Sequence, residues 1–261
     1  MNEARPSAII LRHHNSKGHC AECALNPVCL PPAVAETDLD RLEDIIEKPR
    51  PLPRGSQLFQ QGDSFSSVYA VRSGGIKTTL TGPDGTEQIT GFYLPGEIVG
   101  LDGVADGRHG VSATVLDSTA VCAIPFFQLE ALSPHLPGLQ HHLFSLFSRE
   151  IQQDQQLLLL LGKRSAEARL AAFLLSLSAR YQRRGLSGSR FLLPMSRTDI
   201  GNHLGLAIET VSRLFTRLQQ AGVVTADGKD ITVLDRAALC LLAEPAAECA
   251  DEAENRVRHL P

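Results

Sequence analysis

The sequence predicts an α+β chain built in series: an N-terminal antiparallel β-roll, a long dimerisation helix and a C-terminal winged helix-turn-helix. Three observations predict it. Between Pro53 and about Pro125, short runs rich in Val, Ile, Thr, Phe and Tyr are separated by Gly, Pro and Asp turns at hairpin spacing. From Gly138 to Gly162 an apolar residue recurs every three or four positions. Between Ser196 and Ala221 two amphipathic segments flank a short glycine turn.

The chain has 261 residues, 43% of them hydrophobic, which suffices for real cores. Its longest apolar run, Leu157 to Leu161, falls far short of the roughly 20 residues a membrane span needs. Near the N-terminus Ala8 to Leu11 is followed at once by Arg12, His13 and His14, which is no signal peptide. A cytoplasmic protein with no membrane partner is the expectation. The net charge of -4 hides an asymmetry: residues 162–236 carry twelve Lys or Arg against six Asp or Glu, so that stretch is +6 and the remainder is -10. Basic charge confined to one segment is compatible with nucleic acid there, and equally with a solvated helical face.

Residues 1–34 are polar and punctuated by Pro27, Pro31 and Pro32, which reads as a cysteine-bearing loop arm ordered mainly by a metal. Residues 35–136 follow as the roll domain, opening with a short helix from Leu39 to Glu47. About eight strands are expected, with clear turns at Pro83-Asp84-Gly85 and Ala105-Asp106-Gly107. Residues 137–162 form the dimerisation helix. Phe144, Phe147, Ile151, Asp154, Leu158 and Leu161 share the spacing of a two-stranded coiled-coil seam, although one stripe of this length also fits an ordinary core face. Asp154 would face its own symmetry mate in a parallel dimer, and the repulsion holds the pair near marginal stability.

Residues 163–242 read as the DNA-binding domain. A helix over 164–184 buries Ala168, Leu170, Ala171, Phe173, Leu174 and Leu177. Ser196 is the N-cap for Arg197 to His203, Gly205 lies in the turn, and Ala207 to Ala221 turns Val211, Leu214, Phe215 and Leu218 inward. Glu209, Ser212 and Arg213, three and four apart, project together from the N-terminal half of that helix, the end that enters a major groove. A carboxylate accepts from cytosine, an arginine fork donates to guanine or a phosphate, and a hydroxyl serves either role. Ser196, Arg197 and Thr210 join them as candidate DNA contacts. A hairpin around Ala226-Asp227-Gly228-Lys229 reads as a wing, and residues 243–261 as a disordered acidic tail.

Cys20, Cys23 and Cys29 lie within ten residues, and Cys122 is the next cysteine in the chain. A soft four-thiolate site suits tetrahedral zinc or an iron-sulfur cube with one cysteine per iron, and ligand chemistry alone leaves both open. Cys122 shares a strand face with Ala120 and Ile124, so a plain buried core thiol is its simplest reading. The unmatched N-terminal trio favours a ligand instead. His19 reads as a solvated loop residue, and Cys240 and Cys249 as incidental.

Together the four cysteines, the stretch Gly91-Phe92-Tyr93-Leu94-Pro95-Gly96-Glu97 and Glu209-Thr210-Val211-Ser212-Arg213 make residues 18–242 resemble the cAMP receptor protein superfamily. Within it the likeness is to the fumarate and nitrate reduction regulator (FNR) branch. The resemblance implies a cyclic-nucleotide-binding-like roll and a 4Fe-4S cluster on Cys20, Cys23, Cys29 and Cys122 that is degraded by oxygen. It implies an oxygen-sensing activator of anaerobic genes, homodimeric when cluster-bound, with Glu209, Ser212 and Arg213 reading palindromic double-stranded DNA sites of TTGAT-like halves. RNA polymerase would touch the loop Asp84, Gly85, Thr86 and Glu87. Cyclic-nucleotide sensors of the superfamily use a Gly-Glu and an Arg-Ser pair where this chain has Gly100-Leu101 and Val111-Ser112, so no cAMP is expected. Ala24 stands where relatives often place a serine, which bears on the rate of oxygen attack.

Two other readings remain. One is a zinc-stabilised regulator answering to a small ligand in the roll. The other, an iron-sulfur enzyme, is disfavoured, because a catalytic cube keeps one iron free of cysteine and no His/Asp/Ser constellation is present.

Overall fold

The computed structural model describes residues 20–244. It divides into two compact units whose boundary falls between Ser148 and Arg149. His19, Cys249 and the acidic tail from Pro245 onward lie outside the described residues.

In the first unit, helix α1 (Leu39–Asp44) precedes seven strands: β1 (Gln57–Phe59), β2 (Ser67–Ser73), β3 (Ile76–Thr81), β4 (Glu87–Tyr93), β5 (Ile98–Val99), β6 (Ser112–Val115) and β7 (Ala120–Pro125). They form two antiparallel sheets, ordered β1-β6-β3-β4 and β5-β2-β7. That is one strand fewer, among the described residues, than the sequence suggests. Ahead of β1, Glu47 and Leu52 make only isolated bridges to Ala123 and Thr119. Pro49, Pro51 and Pro53 have no N–H with which to continue a ladder. The bridge at Glu47 also requires extended chain there, which is why α1 ends at Asp44.

Strand alternation creates two cores from one sheet. Val71 and Val121 turn into the roll with Phe59, Ile76, Val99 and Ala113. Ala70 and Ile124 turn outward into a second core with Leu30, Leu42, Leu129, Leu139 and Leu143. Each leucine so buried contributes about 1.5–3 kcal/mol. This outer core draws four things onto the sheet: the arm, α1, helix α2 (Phe126–Leu132), and the first turns of α3 (Pro137–Lys163). The long helix is therefore not a domain of its own at 137–162. Through Leu139 and Leu143 its beginning is part of the first unit.

The second unit contains α4 (Ala166–Arg183), β8 (Arg190–Leu192), α5 (Arg197–Leu204), α6 (Ile208–Gln220), β9 (Val224–Asp227), β10 (Asp230–Val233) and α7 (Arg236–Leu242). Every residue expected on the inner faces of the two helices α4 and α6 is buried. The wing has three strands, β8-β10-β9, rather than a bare hairpin. β8 is only three residues long, too short for periodicity to betray. No helix of the described residues is long and apolar enough to cross a membrane.

Candidate metal centre and nucleic-acid interface

The arm is a succession of turns rather than a loose loop. Three-residue 3-10 turns occupy Asn26–Val28, Pro31–Ala33 and Glu36–Asp38. Pro27, Pro31 and Pro32 sit at the start of the first two, where a missing N–H leaves no hydrogen bond unmade. Leu30 is 1% exposed and anchors the arm in the outer core.

Two glycines receive the arm. A side chain at Gly96, whose φ is +90°, would meet Val28 Cγ2 at 2.6 Å, and one at Gly138 would meet the Ala33 carbonyl oxygen at 2.2 Å. Gly96 in the Gly91-to-Glu97 stretch thus has a local reason: the turn needs a left-handed residue, and Val28 fills the space beside it.

Cys20 is buried; Cys23, Cys29 and Cys122 are half-buried free thiols. Cys122 pairs with Ala70 across β2 and β7 and packs, like Cys29, against the outer core. The strand period that placed Cys122 beside Ile124 therefore aims it away from the roll interior, beneath the arm. Burial pushes the Cys29 thiol up to about 12. The Leu30 N–H acts against this, and Cys122, Cys20 and Cys23 raise it further. Burial likewise pushes Cys122 up to about 11, with Arg72 and Lys48 lowering and Cys20 and Cys23 raising it. Cys20 is raised by burial first and by Glu43 second. Cys29 and Cys122, 93 positions apart in the chain, thus pack against the same core. Among the described residues no three of His, Cys, Asp and Glu close on a single metal ion.

Backbone and side-chain bonds fix the first cysteine. Its N–H donates to Glu43 Oε1 at 2.9 Å, and its carbonyl accepts from Asn26 Nδ2 at 3.0 Å and from the Cys23 N–H at 3.2 Å. Lys48 Nζ lies 3.4 Å from the same Glu43 oxygen. Sequence inspection missed Glu43 and Lys48, because an acidic residue on a short amphipathic helix reads as its solvated face.

In the roll, Asp102 Oδ2 accepts from the N–H groups of Gly110 at 2.7 Å and Val111 at 3.3 Å. Its Oδ1 lies 3.4 Å from Nδ1 of His109, which is buried and stacked on Phe59 at 3.6 Å. Burial pushes the Asp102 carboxyl up, but the bonds from His109, Gly110 and Val111 outweigh it and hold the group below its ordinary range. The Asp84 to Glu87 loop is the exposed β3–β4 hairpin. There Gly85 has φ +80° and Asp84 Oδ1 accepts from the Thr86 N–H and hydroxyl, which lowers its pKa.

Along α3, Phe144, Ile151 and Leu158 are 65%, 58% and 71% exposed. Phe147 and Leu161 are half-buried, Phe147 against the outer core. Asp154 is exposed, and partial burial raises its carboxyl pKa.

In the second unit, Ser196 and Asp199 form a capping box around the start of α5: the Ser196 hydroxyl accepts from the Asp199 N–H and donates to its carboxylate. That hydroxyl is occupied within the cap. Gly205, φ +62°, ends the helix. Arg197 lies with its guanidinium 3.3 Å over the Phe215 ring and its Nη2 3.4 Å from the Gly228 carbonyl, joining α5, α6 and the wing. Burial lowers its pKa to about 10. Glu209, Ser212 and Arg213 are exposed on α6, and Thr210 is half-buried. Arg169, also missed, donates to the carbonyls of Leu161, Arg164 and Leu204, satisfying helix ends that would otherwise lack partners.

Comparison with known proteins bears on both regions. The Crp-like helix-turn-helix domain family matches residues 168–242, and the cyclic nucleotide-binding domain family residues 49–133. The transcriptional activator protein Anr of Pseudomonas protegens is 51% identical over 238 residues, 91% of this chain and 97% of that protein. The fumarate and nitrate reduction regulatory protein of Escherichia coli K12 is 44% identical over 241 residues, 91% of this chain and 96% of that protein. The structure of FixK2 from Bradyrhizobium japonicum aligns with a TM-score of 0.69 at 29% identity, over 76% of this chain and 97% of that one.

Proposed function

This chain belongs to the Crp/FNR superfamily, on the branch of the Anr and FNR transcriptional activators, and from that premise we propose that it is an oxygen-responsive regulator that binds palindromic promoter DNA as a dimer when Cys20, Cys23, Cys29 and Cys122 hold a 4Fe-4S cluster. It is a transcription regulator with a helix-turn-helix DNA-binding domain, not an enzyme.

The observation that carries the proposal is the convergence of four thiols from an arm and a strand that share one core with the start of α3. Four soft thiolate donors suit a 4Fe-4S group with one thiolate per iron, as in the FNR branch this chain belongs to, and zinc is the alternative the same donors would accept. When bound, such a cluster supplies the oxygen-labile element. The chain's own residues supply the rest. Leu30, Leu139 and Leu143 pack the arm and the helix start into one hydrophobic body, so a change in the arm's packing reaches α3. Phe144, Ile151 and Leu158 offer an apolar stripe to a second copy, and Asp154 on the same helix opposes pairing. About 1.4 kcal/mol of differential packing changes a binding equilibrium tenfold, so a near-balanced dimer needs only a small push.

On α6, Glu209, Ser212 and Arg213 present a carboxylate, a hydroxyl and a guanidinium to the major groove. Asp102 already holds the Gly110 and Val111 N–H groups, which supports a roll that takes no cyclic nucleotide. The exposed Asp84 to Glu87 hairpin is the candidate RNA polymerase contact.

The test is anaerobic purification with iron, sulfide and zinc analysis, followed by sedimentation and gel shifts before and after air. Iron with sulfide, a dimer on DNA and loss of both in air are expected. Equal binding by air-exposed, metal-free protein would overturn the gating, and stoichiometric zinc would replace the cluster.

A further inference from the structure

We propose that Glu43, on α1, is a positioning residue for the metal centre: its carboxylate holds the Cys20 peptide so that the first thiolate meets the bound group in register with the other three. The inference rests on the cluster reading above and adds to it a residue outside the cysteine set.

Glu43 and Lys48 form a largely enclosed pair, their side chains 19% and 11% exposed. A carboxylate oxygen placed there has a specific task, because it accepts the Cys20 N–H at 2.9 Å while Lys48 Nζ lies 3.4 Å away. The opposite side of the same residue is held by Asn26 Nδ2 and the Cys23 N–H on the Cys20 carbonyl. Both peptide groups flanking the Cys20 Cα are therefore fixed, which leaves the side-chain torsion as the main freedom of its sulfur. An ionised acceptor binds a backbone N–H more strongly than a neutral one.

Charge argues that the acceptor, not the negative charge, is what the site requires. A thiolate-ligated cluster is anionic, and a carboxylate beside it is unfavourable by itself. Lys48 offsets that charge on α1's side. Arg72 does so from β2, at the bulge between Val71 and Ser73 beside the pairing of Ala70 with Cys122, where its charge favours the Cys20 and Cys122 thiolates. The arrangement keeps a strong acceptor on Cys20 while limiting repulsion. Such outer partners commonly govern the affinity and lifetime of a bound metal group.

Glu43→Gln keeps an oxygen acceptor in place and removes the charge; Glu43→Ala removes both. Iron and sulfide bound after anaerobic reconstitution, and the decay of cluster absorbance in air, are measured for both and for the natural chain, with thermal melts of the metal-free proteins alongside. The expected result is a cluster lifetime shortened roughly tenfold or more in Glu43→Ala and largely restored in Glu43→Gln. Equal damage by Ala and Gln would show that only the ion pair with Lys48 matters, and equal lifetimes in all three would show that Cys20 needs no such hold; either overturns the proposal. If Glu43→Ala fails to fold, Asn26→Ala tests the other side of the same clamp, and an undiminished lifetime there overturns it. A natural chain that binds no iron would instead defeat the cluster reading itself.

Discussion

From Cys20 to Asp38 the chain makes three 3-10 turns and no α-helix, whereas Arg197 to Gln220 makes two α-helices about one left-handed glycine. The helix-turn-helix satisfies its polar groups locally: Ser196 and Asp199 cap one end of α5, Gly205 closes the other, and α6 buries Val211, Leu214, Phe215 and Leu218 on a single face. The arm closes its turns locally but takes its anchors from elsewhere in the chain. Its first N–H goes to Glu43, its Leu30 to a core built by the roll, and its Val28 and Ala33 to glycines far along the chain. A segment of the first kind is suited to a constant reading surface. A segment of the second kind owes its place to the sheet and helices it lies on, so its packing is coupled to theirs.

The comparison is broken most severely by Cys122→Ser, which removes a soft donor from the strand. Bound iron and anaerobic DNA affinity are expected to fall about 100-fold, with half-site preference unchanged, as read by metal analysis and gel shifts on altered sites. A change in preference would mean that the two regions are not separable. The converse holds for α6. Arg213→Ala should weaken binding to all sites by about 1–3 kcal/mol and reduce its salt dependence, while Glu209→Ala relaxes base choice at one position, both with full iron content. Iron loss in either variant would contradict the division.

Gly138→Ala sharpens the account of the arm because two effects compete in sign. Alanine favours a helix over glycine by about 1 kcal/mol, but its Cβ would meet the Ala33 carbonyl oxygen at 2.2 Å, and a backbone oxygen cannot rotate away. A net loss of about 1–3 kcal/mol is expected in urea unfolding; a raised midpoint would show that the arm does not rest on α3. Ser196→Ala should cost the second unit about 1 kcal/mol through its cap and leave iron binding untouched, so a lowered iron content would join regions held to be separate.

The smallest expected effect concerns acid. Because the Asp102 carboxyl is held below its ordinary range, its contribution to stability is complete above the usual aspartate pKa of about 4 and is lost as pH falls through the lowered folded value. Melts of Asp102→Asn between neutral and acid pH should therefore flatten relative to the natural chain. An unchanged slope would remove Asp102 from the account of the roll.

Much of this was legible in advance, for reasons tied to particular residues. Helical periodicity placed Val211, Leu214, Phe215 and Leu218 inside, since burial of a helix face depends on spacing alone. Ser196 and Gly205 marked the ends of α5 by their own chemistry. The first helix was expected to reach Glu47 and ends at Asp44, because the bridge from Glu47 to Ala123 is a long-range contact that local periodicity does not carry.

By itself the sequence determined the order of the parts, the four cysteines and the side chains presented by the reading helix, because these follow from local spacing and donor type. Only the tertiary structure decided that Cys122 faces outward beneath the arm, that α3 begins inside the first unit, and that Glu43 holds Cys20. The physical reason is the same in each case. Those facts depend on which face of a sheet another segment covers, and the energy that selects the face is shared by residues far apart in the chain.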